Sequence, residues 1–162
     1  MEVIEELFKN KVLIVAMVAW LVAQVIKTIL YSFINRKFEI ERLWGAGGMP
    51  SAHSAMVCAL TISTARFYGL SSPIFALSLI FSFVVIYDAM GVRRETGRHA
   101  KLLNVYLNEI EQEKADIDKD GIPDREATII KLKELVGHTP TEVLGGVILG
   151  VIVGLLVSPI PL

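Results

Sequence analysis

The sequence predicts an all-α, polytopic membrane helix bundle of about four transmembrane helices, with amphipathic cytoplasmic helices between the third and fourth spans. Three observations predict it. Of 162 residues, 53% are hydrophobic and the mean hydropathy is +0.55, more than a soluble domain of this size usually shows. Residues 12–34, 51–70, 73–90 and 140–160 are each long and apolar enough to approach the roughly 20 residues that a bilayer requires. Lys and Arg, finally, gather on one side of these stretches.

The first stretch follows Glu2, Glu5 and Glu6, is too long for a signal-peptide core and lacks a small-residue cleavage site, so it reads as a retained span. Within it Gln24, Lys27, Thr28 and Tyr31 recur at helical spacing and form one polar stripe, expected to face the bundle interior. The second stretch is the most polar, with His53, Ser54, Thr61, Ser63, Thr64 and Arg66, and requires burial against other helices; Arg66, near its end, can snorkel. The third, residues 73–90, carries Asp88 near its end. Residues 91–139 then form a charged cytoplasmic insertion in what is otherwise a single membrane domain, 1–162. In the insertion Leu102, Leu103, Val105, Tyr106 and Ile110 predict an amphipathic helix, and a second short one is expected over residues 125–136; both are expected at the membrane surface. The last stretch carries Gly146, Gly150 and Gly154 at four-residue spacing, which suits close helix packing, either internal or in a homodimer.

Orientation follows from the basic residues. The loop after the first span has Arg36, Lys37 and Arg42, and the insertion has Arg93, Arg94, Arg98, Lys101, Lys114, Lys119, Arg125, Lys131 and Lys133. The other side has only Lys9, Lys11 and Arg66. Cytoplasmic loops are the ones enriched in Lys and Arg, so both termini are expected outside a cell membrane and the two basic loops in the cytoplasm. The formal charge of −1 leaves no basic footprint for nucleic acid. Cys58 is the single cysteine, which excludes an intramolecular disulfide and a Cys-rich metal site.

This topology brings three polar segments to one interface, with Lys27 about two turns below them. Gly47-Gly48-Met49-Pro50-Ser51-Ala52-His53 opens the second span. Its glycines permit a tight backbone, Pro50 suits the first helical position, and helix-start amides favour an anion such as phosphate. Ser51 would donate a hydrogen bond to that phosphate and His53 would act as general acid; alternatively Ser51 caps the helix and His53 packs. Asp88-Ala89-Met90-Gly91-Val92-Arg93-Arg94 closes the third span, and Arg93 and Arg94 can hold a phosphate through bidentate bonds or serve as a positive-inside anchor, with Asp88 pairing one of them. Lys27 either faces the ligand or snorkels. In Gly137-His138-Thr139-Pro140-Thr141-Glu142, Thr139, Pro140 and Glu142 make a capping box with proline at the first helical position. His138 lies outside that box; with a carboxylate four residues on it would be placed as an oriented nucleophile, Glu142 serving either to cap the helix or to orient the imidazole. One further pattern, Asp116, Asp118, Asp120 and Asp124 around Gly121, fits part of a calcium loop, but Ala127 stands where the bidentate carboxylate belongs; a weakly bound calcium or a solvated turn both fit.

These three segments resemble the signatures of the divergent type 2 phosphatidic acid phosphatase family, related to acid phosphatases and vanadium-dependent haloperoxidases. The resemblance implies that Lys27, Ser51, Arg93 and Arg94 bind phosphate, that His53 protonates the leaving group, that His138 attacks, and that Glu142 orients it. Ala52 stands where the superfamily has glycine. Arg93 and His99 have the superfamily's short spacing, but Leu103 occupies the place of the acid, which favours His138 as nucleophile. The implied activity is hydrolysis of a membrane lipid phosphate monoester or pyrophosphate, of phosphatidate, phosphatidylglycerophosphate or prenyl phosphate type, through a phosphohistidine and with no required cofactor. A non-catalytic protein that binds phospholipid headgroups with the same basic site is the alternative.

Overall fold

A computed structural model of the chain describes residues 2–36, 48–117, 132 and 137–157. They form six helices: α1 (Glu2–Lys9), α2 (Lys11–Asn35), α3 (Ala52–Tyr68), α4 (Pro73–Met90), α5 (Val92–Ile117) and α6 (Pro140–Val157). Among the described residues, three stretches are long and apolar enough to cross a membrane: Lys11–Ile34, Pro73–Ile110, whose apolar part is α4, and Pro140–Val157. The expected short helix over residues 125–136 lies outside the described residues, Leu132 apart, as do Asp118, Asp120 and Asp124 of the partial calcium loop; Asp116 is on the last turn of α5.

Local chemistry sets the helix ends. Asn10 caps α2 by accepting from the Leu13 amide at 3.1 Å, and Ser72 caps α4 by accepting from Phe75 at 3.1 Å, ahead of Pro73 at the start of the helix. Ser51 caps α3, with Oγ accepting from the Ser54 amide at 3.4 Å. That corrects the placement of Pro50 at the first helical position: Pro50 precedes the cap, and Ala52 is the first helical residue.

The 17 residues of α3 make it shorter than α2, and it lies among the others, packed against α2, α4 and α6. Its small and hydroxylated residues explain why. Ala52, Ser54, Ala55, Ala59, Ser63 and Thr64 are buried, and they let neighbouring backbones approach closely. Gly146, Gly150 and Gly154 of α6 face it: a Cβ at Gly146 would collide with the Ser51 carbonyl, one at Gly150 with the Ala55 carbonyl, and one at Gly154 with Ile62. The glycine stripe is therefore used inside the chain, and a dimer contact through it would need the face that α3 already covers.

Between α3 and α4 the contact is polar. Thr61 Oγ1 donates to Ser82 Oγ at 2.7 Å, and Ser82 Oγ in turn donates to the Val57 carbonyl at 3.0 Å. Each such interhelical bond is worth about 0.6–2 kcal/mol within a membrane. The apolar core is narrow and rich in alanine: Val15, Ala19, Ala59 and Val153 form one cluster, and Ala23, Ala52 and Ala55 a second, with Trp20 and Leu149 packed on it.

Outside this bundle α5 packs against α4 and buries Ala100 and Asn104. Leu102, Leu103, Val105, Tyr106 and Ile110, the apolar residues that predicted an amphipathic helix, are exposed.

Candidate active site

The three polar segments meet at one end of the bundle, and backbone hydrogen bonds join them. Ser51 N donates to the Glu142 carbonyl at 2.9 Å, and His138 N donates to the Ala89 carbonyl at 3.0 Å. The segment before α6 is thus tied to the start of α3 on one side and to the end of α4 on the other. Gly137 completes the junction. Its φ of +87° lies in the left-handed region, and a Cβ there would come within 2.7 Å of the Arg93 carbonyl carbon, so only glycine lets this backbone rest on the α4–α5 corner. Gly48, also left-handed at φ +90°, rests against the aliphatic stem of Lys27.

His138 is buried, and its Nδ1 is 3.1 Å from Glu142 Oε2. The same oxygen accepts from the Thr139 amide at 2.9 Å, while Thr139 Oγ1 accepts from the Glu142 amide at 3.4 Å. The capping box and the histidine contact therefore coexist: one carboxylate oxygen closes the helix start and holds the imidazole. A carboxylate only accepts, so in this contact Nδ1 is the donor and the other ring nitrogen, Nε2, is the one Glu142 leaves unoccupied.

A cavity of about 340 Å³ opens beside this pair, and His53, Asp88, Arg93, Gly137 and His138 line its polar end. Arg93 Nε donates to Asp88 Oδ2, an ion pair at the cavity wall. Met56, Val57, Phe81, Val84, Val85 and Ala89 line the remainder, so the polar groups sit at the mouth of an apolar slot between α3 and α4.

The remaining site residues expected from sequence are close by but off the wall. Lys27 is buried together with Gln24 and Thr28, so the polar stripe of α2 does face inward, with Lys27 under the Gly48 turn. Ser51 is fully buried, and its hydroxyl receives bonds from the Ser54 amide and from Ser54 Oγ at 3.0 Å. Arg94 contributes its backbone as the seat of Gly137 and is absent from the cavity lining. Glu142 stands behind His138.

The apolar wall was missed in the sequence because its residues are indistinguishable from any other apolar residue of a spanning helix. Asn104 was missed too. Its side chain clamps the Leu132 backbone, Nδ2 donating to the carbonyl at 2.8 Å and Oδ1 accepting from the amide at 2.9 Å, which fastens Leu132 to α5. No cluster of three or more His, Cys, Asp or Glu side chains arranged to hold a metal occurs among the described residues.

Fold and site together define a helical membrane protein with a carboxylate-held histidine, a second histidine and an arginine at one mouth of its bundle. Residues 8–153 match the divergent PAP2 family, and the chain belongs to it. It is 37% identical over 156 residues, 94% of this chain and 97% of the relative, to the uncharacterized membrane protein YuiD of Bacillus subtilis (strain 168). No solved structure matches. Family membership links the chain to the PAP2-related phosphatases.

Proposed function

We propose that this protein is a membrane-embedded phosphatase that hydrolyses a lipid phosphate monoester or pyrophosphate, of phosphatidate, phosphatidylglycerophosphate or prenyl phosphate type, through a phosphohistidine. The observation that carries the reading is the His138–Glu142 pair at the rim of a cavity that also receives His53 and Arg93. With Nδ1 held by Glu142, the Nε2 lone pair attacks phosphorus as the bond to the leaving oxygen breaks. His53 gives that oxygen its proton, and Arg93 bears the charge on the phosphoryl oxygens. Water then attacks phosphorus, His53 takes back a proton, and the N–P bond breaks to release inorganic phosphate and neutral His138. Lys27, Ser51 and Arg94 support the phosphate site from behind the wall, Lys27 through its charge and the other two through the backbone they fix. Asp88 keeps Arg93 aimed.

The histidine supplies the nucleophile, so the reading requires no metal, and turnover is expected to persist in a chelator. In this reading α3 is the fourth span, enclosed by the three more apolar helices, and the site faces the cytoplasm, where inner-leaflet lipid phosphates reach it. Phosphate release from a panel of lipid phosphates by the purified protein tests the proposal. The arginine at the cavity wall also fits a second reading, a headgroup-binding protein without turnover, because a guanidinium can hold a phosphate that His138 does not attack. Binding of the same lipids with no phosphate released would establish that second reading.

A further inference from the structure

A second cavity, of about 480 Å³, lies toward the opposite end of the bundle, where Leu60, Thr64, Ile74, Leu77 and Ser78 line it together with the start of α2. Phe81 lines both cavities. On α3, His53, Val57, Leu60 and Thr64 recur at helical spacing, and on α4 so do Asp88, Val84, Phe81, Leu77 and Ile74. The two cavities are therefore successive parts of one groove between these helices. From Asp88 to Ile74 it runs about 21 Å along α4, against a hydrocarbon core of about 30 Å. One end carries histidines and an arginine, and the rest is lined mainly by apolar side chains and, among the described residues, holds no Asp, Glu, Lys, Arg or His. The groove opens sideways, since Ile74, Leu77 and Phe81 are half exposed or more. Behind Phe81 the Thr61–Ser82 bond and the Ser82–Val57 bond tie the two helices, so the floor is fixed.

We infer that this groove holds one hydrocarbon chain of the lipid phosphate, and that Phe81 determines the chain length the protein accepts. The inference rests on the lipid-phosphatase reading for the position of the phosphate at His53, Arg93 and His138. Phe81 lies about 10 Å below Asp88 along α4. A short chain ends above its ring, in the first cavity; a long chain must pass the ring to reach Leu60 and Leu77. The side chain at position 81 is the constriction between the two volumes.

Photocrosslinking tests this without requiring turnover. The protein in lipid vesicles is exposed to hexadecyl phosphate carrying a diazirine at the chain terminus, and labelled residues are mapped by mass spectrometry. Label is expected at Leu60, Thr64 or Leu77, displaced by plain hexadecyl phosphate but not by hexadecanol. Phe81→Trp should lower that label by about tenfold, as misfit of one side chain does, and move it to Met56 or Val84. Phe81→Leu, a control for folding, should retain it. In turnover, Phe81→Ala should raise the ratio of hexadecyl to octyl phosphate hydrolysis and Phe81→Trp should lower it, while Leu144→Trp on α6 leaves the ratio alone. Label spread equally over Leu144 and Ile152, or unmoved by Phe81→Trp, would overturn the groove. Groove label without phosphate release would overturn the phosphatase reading and leave the groove standing; release without groove label would do the reverse.

Discussion

Glu142 holds His138 with the same oxygen that caps α6: Oε2 is 3.1 Å from His138 Nδ1 and 2.9 Å from the Thr139 amide. A single side chain thereby fixes both the helix start and the imidazole beside it. Because the Ser51 amide bonds the Glu142 carbonyl, the orientation of His138 is also referred to α3, the helix that carries His53.

That double role gives two separable losses. Glu142→Gln keeps a carbonyl oxygen for the cap and removes the charge that stabilises an imidazolium, so stability should stay within about 0.5 kcal/mol while phosphate release falls by on the order of a hundredfold or more. Glu142→Ala should lose the same activity and a further cap contribution of about 1 kcal/mol. Thermal unfolding in detergent, run beside the phosphate assay, measures both. Equal activity for Glu142→Gln and wild type would leave the carboxylate with the cap alone.

The Gly137 junction predicts a different pattern. An alanine there is strained at φ +87° and its methyl meets the backbone of Arg93 and Arg94. The combined effect should be about 2–4 kcal/mol against the folded state, with displacement of His138 and loss of turnover. The same change at Gly69, whose φ is +82° but whose Cβ would meet nothing, should cost only the backbone part, about 1–3 kcal/mol, and spare activity. Thermal unfolding of the two variants side by side separates strain from collision.

Much of this site was legible because its polar residues stand out against apolar helices. An ionisable side chain inside a membrane segment is costly and therefore informative, which singled out Lys27 and His53, and the short spacing of His138 and Glu142 carried their contact. Which arginine faces the cavity was not legible. Arg93 and Arg94 differ by about 100° around a helix, and the choice between them depends on where Gly137 lands, a contact across more than forty residues. Ser51 was open between donor and cap for a similar reason: its hydroxyl is taken by Ser54 only once α3 forms. The fold followed the hydropathy pattern at α2, α4 and α6. At α3 burial was the sounder guide, since its hydroxyls and small residues mark an interior helix more than a lipid-facing one.

The distribution of basic residues predicts a topology that reporter fusions can test. In the sequence, twelve Lys and Arg fall in the segments after the first and third expected spans, and three in the segments on the other side. Fusions at the C-terminus should report an outside location, and fusions near Asp118 a cytoplasmic one. A cytoplasmic C-terminus would place the histidines on the outer face and redirect the search for substrate to outer-leaflet lipid phosphates.

The two histidines should fail differently when removed, because one is assigned the bond to phosphorus and the other only a proton. His138→Ala should abolish hydrolysis of every substrate. His53→Ala should lose hydrolysis of lipid phosphates, whose alkoxide leaves poorly without a proton, by about 10²–10⁴-fold, yet keep measurable turnover of an aryl phosphate, whose phenolate needs none. Acid-labile phosphate should be trapped on wild type with a rapid quench, and not on His138→Ala; vanadate should inhibit wild type by imitating five-coordinate phosphorus. Both side chains line the same cavity, so a general disturbance of binding would depress both variants on both substrates alike. Divergence on the aryl phosphate is therefore the decisive readout. If His138→Ala folds, inserts and keeps normal activity, the nucleophile lies elsewhere and the role assigned to the His138–Glu142 pair is wrong.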